Sequence, residues 1–265
     1  MIVDKLLTPF LRLPHFKGKT RIEELLRRML WTPNQTKVFG GLRMELDPAE
    51  WIQMQLLKGN WLEPRTLALY QKLLRPGDIF VDVGAHVGFH SLVARPLVGP
   101  SGLVIAIEPQ PYNAQKILAN WRANDFANLK LIIAAAGERD GWVELQDQPI
   151  TDRALLTLRG NGAKDQAQHF EVPSLRLDSI FQRHKVSRLR LLKLDVEGYE
   201  NEVIGGLGER LRDVEHIVFE FLPNATSDVV ELLRQRGFDI RTVEDFPWKS
   251  GDAISENNLW AKRPS

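Results

Sequence analysis

From Asp78 onward, short apolar runs alternate with stretches whose apolar residues recur every three to four positions. The runs are Ile79–Val83, Leu103–Ile107, 129–134, 191–195 and 216–221, each of strand length. The periodic stretches at 112–124, 197–207 and Ser227–Gln235 read as helices. Strand alternating with helix predicts a parallel sheet covered on both faces. Residues 143–145 and 170–175 read as further strands around a polar loop at 159–168. The pieces 238–243 and Asn258–Lys262 are separated by too few residues for a crossover helix, so they predict an antiparallel hairpin at the sheet edge.

Before Asp78 the pattern is different. Leu6, Leu7, Phe10, Leu11 and Leu13 predict a short amphipathic helix, interrupted by Asp4, Lys5 and Arg12, that packs on its own protein. Ile22, Leu25, Leu26, Met29 and Leu30 form a second stripe, with Thr20 at its N-cap position. A third covers 67–74, with Pro64 at the favoured first turn. Residues 37–47 alternate around Gly40-Gly41 as a hairpin would. Residues 1–75 are therefore expected to form a helical extension or cap, and residues 78–265 a sheet domain.

Composition narrows the function. Of 265 residues, 43% are hydrophobic and 26% charged, which excludes a mostly disordered chain. The 35 basic and 34 acidic side chains leave a net charge of +1, so no basic field invites bulk nucleic acid. The absence of cysteine excludes a disulfide scaffold, a thiolate nucleophile and zinc–thiolate sites, and suits a reducing compartment. No stretch reads as a bilayer span or a secretory signal, so a cytoplasmic protein is expected.

The first strand ends in Asp82-Val83-Gly84-Ala85-His86-Val87-Gly88. In an open parallel sheet, ligands bind beyond the carboxyl ends of the strands. Gly84 and Gly88 allow close backbone approach there, but His86 stands where a dinucleotide fold needs glycine. Asp82 would repel a pyrophosphate and attract an ammonium. The second strand ends Ile107-Glu108-Pro109, and Glu108 occupies the place of an acid that receives ribose hydroxyls. Together these turns predict a nucleoside, and S-adenosylmethionine suits them better than NAD. An NAD-dependent oxidoreductase and a catalytically silent nucleoside-binding module are the alternatives. His86 is read as a hydrogen-bonding residue at the helix start.

These two motifs, with the segment Leu192-Lys193-Leu194-Asp195-Val196-Glu197-Gly198-Tyr199-Glu200, resemble the FkbM-type S-adenosylmethionine-dependent methyltransferases. Lesser echoes are residues 59–64 and 135–141, so the resemblance spans roughly 59–262. It implies a Rossmann-like class I methyltransferase fold, a seven-stranded sheet with its last strand antiparallel. It also implies that Asp82, Gly84, Ala85, His86 and Gly88 line the methionine and ribose end, with Glu108 and Pro109 on the ribose. Ala135, at the end of the third strand, would lie near the adenine. The family commonly has Asn where His86 stands. The implied reaction is methylation of a hydroxyl on a sugar or natural-product molecule, with S-adenosylhomocysteine as the second product.

Asp195 and Glu197 lie at the carboxyl end of their strand, in the same crevice as the glycine turn. They are the candidate catalytic pair, Asp195 nearest the methyl group and Glu197 as base or acceptor-orienting group. Glu200 serves equally well as a helix-start carboxylate. Glu220 adds a carboxylate at the end of the neighbouring strand, and Lys193 is expected to pair with one of these acids. Asp195, Glu197 and Glu220 could instead hold Mg²⁺ or Ca²⁺. Their spacing is no recognised cage, so a metal is not the favoured reading. The sequence does not identify the acceptor or the oligomeric state.

Overall fold

The computed structural model describes residues 18–19, 35–47, 50–59, 62–146, 169–223 and 226–264. The amphipathic stretches expected before Gln35 and the loop at 159–168 lie outside them, apart from Gly18 and Lys19. The chain runs through a hairpin, β1 (Gln35–Phe39) and β2 (Leu42–Leu46), and two helices, α1 (Trp51–Leu57) and α2 (Pro64–Leu73). Then come β3 (Ile79–Val83), α3 (Phe89–Val98), β4 (Leu103–Ile107), α4 (Pro111–Ala123) and β5 (Leu129–Ile132). A small sheet follows from β6 (Ala135–Ala136), β7 (Gly141–Gln146) and β8 (His169–Leu175). The last elements are α5 (Leu177–Arg183), β9 (Leu189–Leu194), α6 (Glu200–Gly205), β10 (Val214–Glu220), α7 (Ser227–Gln235), β11 (Asp239–Thr242) and β12 (Asn258–Lys262).

The main sheet has seven strands in the order β11-β12-β10-β9-β3-β4-β5. β10, β9, β3, β4 and β5 pair in parallel, and β12 is antiparallel to both β10 and the edge strand β11. The expected class I methyltransferase sheet is thus present, with the terminal hairpin at the edge and β12 inside β11. One detail differs from the sequence reading. The third strand stops at Ile132, and Ala135 opens β6 of the small sheet, where Ala135 and Ala136 pair with Ser174 and Leu175.

Alternation along the strands divides the core into two layers. Val81, Val83, Ile105, Ile107, Leu192, Leu194, Ile217 and Phe219 pack against α5, α6 and α7. Phe80, Val104, Ala106, Leu191, Val218 and Trp260 pack against α2, α3 and α4, together with Met44 and Leu46 of the hairpin. The central strands β3, β4, β9 and β10 are buried on both faces, which explains their nearly continuous apolar runs. Charged side chains break that pattern at the centre of the second face. Asp82 and Lys193 stand opposite each other in the β3–β9 register, both buried.

Polar contacts fasten the outer elements. Asn120 on α4 accepts from the Glu45 N–H at 2.6 Å and donates to the Val87 carbonyl at 2.9 Å. Glu256, from the loop before β12, caps α2 by accepting from the Arg65 and Thr66 N–H groups at 2.7 and 2.9 Å. Among the described residues no helix is long and apolar enough to cross a membrane.

Candidate active site

Strand register sets the site. Val83 is level with Ile107 on one side and Leu194 on the other, and Leu194 is level with Phe219. The residues that follow, Gly84, Glu108, Asp195 and Glu220, therefore emerge side by side at the carboxyl edge, on strands about 4.8 Å apart.

Gly84 has φ of 77°, and a Cβ there would lie 1.8 Å from the Asp195 carbonyl oxygen. Only glycine lets the two turns approach so closely. Gly88, at φ of 82°, opens α3. His86 is also left-handed, with φ of 50°. Asn, Asp and His are the side chains most often found in that conformation. Backbone shape thus accounts for an imidazole where the resembling family has an amide. The His86 N–H donates to Glu108 Oε2 at 2.8 Å. Glu108 Oε1 accepts from the Gln110 N–H at 2.9 Å and the Asn113 amide at 3.2 Å. Burial pushes the Glu108 carboxyl up to about 7, with the Gln110, His86 and Asn113 hydrogen bonds acting against it.

Asp82, Ala85 and Gly88, expected on the cleft wall, stand behind it. Asp82 is on the second face of β3, where Oδ2 accepts from the Ser91 hydroxyl at 2.7 Å. Burial raises its pKa and Lys193 opposes the rise. Ala85 packs in the second apolar layer, and Gly88 lies against Ile117. The alternation of β3 and the turn of α3 direct these residues inward.

On the other side of Gly84, Lys193 donates to Asp195 Oδ2 at 2.7 Å. The ammonium is 1% exposed; burial lowers its pKa, but Asp195, Glu63 and Asp82 outweigh that and hold it well above its ordinary value. Lys193 is therefore the ion-pair partner expected from the sequence. The turn after Asp195 places Glu197 at φ of 55°. Glu200 Oε1 steadies that turn by accepting from the Val196 N–H at 3.0 Å. One carboxylate oxygen from each of Asp195, Glu197 and Glu220 lies within 4.8 Å of the other two. Burial, then Asp195, pushes Glu197 up to about 7 and Glu220 up to about 8.

Between these groups lies a cleft, open to solvent, with a cavity volume of about 100 Å³. Gly84, His86, Glu108, Pro109, Ala135, Asp195 and Glu197 all line it, so it gathers most of the residues singled out in the sequence. It also exposes residues that the sequence reading missed: Ile52 of α1, Asn113 of α4, Leu145 of β7, and Tyr199. Asn113, a polar residue five positions after Glu108 on the buried face of α4, carried a readable signal. Ile52 and Leu145 did not, because long-range packing brings them here. Glu50 was missed as well: it caps α1 through the Ile52 and Gln53 N–H groups, and its Oε2 lies 3.9 Å from His86 Nε2.

The cleft suits a nucleoside. Ile107, Ala134 and Leu145 offer apolar surface to a flat base, while His86 Nε2 and Asn113 Oδ1 are buried without a hydrogen-bond partner. Such atoms are costly unless a ligand or water satisfies them.

Three relatives are similar to this chain. A 31-O-demethyl-FK506 methyltransferase FkbM of Streptomyces tacrolimicus is 28% identical over 213 residues, covering 69% of this chain and 80% of that protein. A hexuronic acid methyltransferase AglP of Haloferax volcanii is 24% identical, covering 60% of this chain and 62% of that protein. A ribosomal RNA large subunit methyltransferase E of Neisseria meningitidis is 28% identical, covering 60% of this chain and 75% of that protein. Residues 82–240, from the aspartate before the glycine turn to the edge strand β11, match the methyltransferase FkbM domain. With the class I sheet carrying those residues, the chain belongs to the FkbM methyltransferase family.

Proposed function

We propose that this methyltransferase uses S-adenosylmethionine to methylate a hydroxyl on a sugar or natural-product small molecule, in the cytoplasm, releasing S-adenosylhomocysteine. One observation carries the reading. A single cleft has Glu108 on one side and Asp195 with Glu197 on the other, and Gly84 lies between them. An acid suited to ribose hydroxyls and an acid pair suited to an acceptor are thus set on opposite sides of one cleft.

When bound, S-adenosylmethionine supplies an electrophilic methyl group on a positively charged sulfur. The chain binds and orients. Glu108 Oε1 already accepts two N–H groups but Oε2 only one, so Oε2 is open to a ribose hydroxyl. Asn113 and His86 present polar atoms beside it, and Ile107, Ala134 and Leu145 flank the base. Lys193 holds Asp195 by one oxygen and leaves the other facing the cleft, where positive charge on sulfur or on the reacting oxygen is met. Glu197 receives the acceptor's proton on a carboxylate oxygen. Holding nucleophile and methyl in line contributes about 7–11 kcal/mol toward the barrier.

The acceptor class is supported by the relatives named for FK506 and hexuronic acid. The relative named for ribosomal RNA makes RNA the second reading, which a net charge of +1 disfavours. Calorimetry tests the cofactor assignment: S-adenosylmethionine is expected to bind the wild-type chain, and no binding to a folded sample would remove it. Product formation over hydroxylated small molecules and RNA then separates the acceptor classes. Absence of product from every acceptor would leave the silent-module alternative.

A further inference from the structure

Glu220 and Glu197 are acids for which the fold provides no counter-charge in contact. Among the described residues, neither side chain takes part in a hydrogen bond or an ion pair. Lys193, the ammonium nearest the group, is committed to Asp195 Oδ2 at 2.7 Å. Even so, three separate backbone positions bring the acids together. Asp195 follows the end of β9, Glu197 sits on the left-handed turn beyond it, and Glu220 ends β10. One oxygen from each lies within 4.8 Å of the others.

A fourth carboxylate beside the group also has an unpaired buried oxygen. Glu200 has no exposed surface. Its Oε1 accepts from the Val196 N–H, within the turn that carries Asp195 and Glu197, so the whole carboxylate is held against that turn. Its Oε2 has no partner, and neither does the buried Oε2 of Glu220. Buried anionic oxygens are costly unless paired, protonated or bound to a metal.

We propose that Asp195, Glu197 and Glu220 bind one divalent hard cation of the Mg²⁺ or Ca²⁺ class at the cleft. The donors are all carboxylate oxygens, with no thiolate or imidazole among them, which selects Mg²⁺, Ca²⁺ or Mn²⁺ over softer metals. Two of the three ligands line the cleft, so water or an acceptor hydroxyl can complete the coordination there. A cation in this place draws electron density from a bound oxygen and eases loss of its proton. That catalytic consequence rests on the methyl-transfer reading above; the binding itself does not.

The test uses the full chain after chelator treatment and dialysis. Mg²⁺, Ca²⁺ and Mn²⁺ are titrated by calorimetry, with Mn²⁺ also followed by electron paramagnetic resonance. One ion per chain is expected, with affinity reduced at least tenfold in both Glu197→Gln and Glu220→Gln and unchanged in Glu231→Gln on α7. S-adenosylmethionine binding, read on the same samples, should persist in Glu220→Gln and certifies that the variant is folded. If none of the three ions binds the wild-type chain stoichiometrically, or if both variants bind as tightly as wild type, the proposal is overturned. Ion binding without cofactor binding would instead leave the cation site standing and remove the cofactor reading.

Discussion

Gly84 is the residue on which the site geometry turns. A methyl group there meets a backbone carbonyl, which cannot rotate away as a side chain could. Gly84→Ala should therefore lower stability by about 1–3 kcal/mol in urea unfolding and weaken cofactor binding with it. Glu108 makes a different prediction. Glu108→Ala removes charge-assisted bonds of about 1.5–3 kcal/mol, so S-adenosylmethionine affinity should fall roughly 10–150-fold in calorimetry. Its carboxyl, pushed up to about 7 by burial, must ionise to accept hydroxyls best. Wild-type affinity should then rise about tenfold from pH 6 to pH 8, and Glu108→Gln should flatten that rise. The motif residues were legible because turns after strands reuse a few shapes. Which way each side chain points was not, since Asp82 is turned from the cleft by the alternation of β3 and by its neighbour Lys193.

At the scale of elements, Asn120 joins three pieces of chain. One buried amide links β2 to α4 and holds the Val87 carbonyl in the glycine turn. Asn120→Ala leaves a buried donor and a buried acceptor unpaired, at about 1–3 kcal/mol each. Asn120→Asp keeps the acceptor for Glu45 but sets a buried carboxylate against the Val87 carbonyl, so at neutral pH it should be at least as destabilising as Asn120→Ala. A wild-type unfolding midpoint in Asn120→Ala would contradict the double linkage. Periodicity found the strands, the hairpin of residues 37–47 and the terminal hairpin, because each buries a regular face. It did not find the asparagine and Glu256 contacts, which depend on residues distant in sequence. It also ran β5 too far: the apolar run at 129–134 continues through a change of sheet, and nothing in the run marks where pairing passes to β8.

For the whole molecule, buried acids set the response to pH. Glu63 and Glu108 are each pushed up to about 7, chiefly by burial. The folded state thus retains protons that the unfolded state releases above about pH 4.5, and the stability these groups contribute is lost as pH rises through 7. His216, pushed down to about 4 by burial, has the opposite effect, but only between about 4 and 6.5. From pH 6.5 to 8 the acids prevail, so the urea midpoint of the ligand-free chain should fall over that interval. The double variant Glu63→Gln/Glu108→Gln should lose part of the fall, and the raised carboxyls of Glu197 and Glu220 should account for the remainder. Charge balance also bears on the acceptor: with 35 basic against 34 acidic residues, turnover on a small neutral acceptor should change little with salt, whereas an RNA acceptor would show a steep loss.

The claim on which the rest depends is that this cleft transfers a methyl group from S-adenosylmethionine with Asp195 at the point of transfer. The direct measurement is mass spectrometry of hydroxylated small molecules from cell extract, incubated with the chain and methyl-labelled cofactor. A labelled O-methyl product is expected with wild type and not with Asp195→Asn, although that variant keeps most of its cofactor affinity. Equal product from Asp195→Asn, or no labelled product from a wild-type chain that binds the cofactor, would contradict the account.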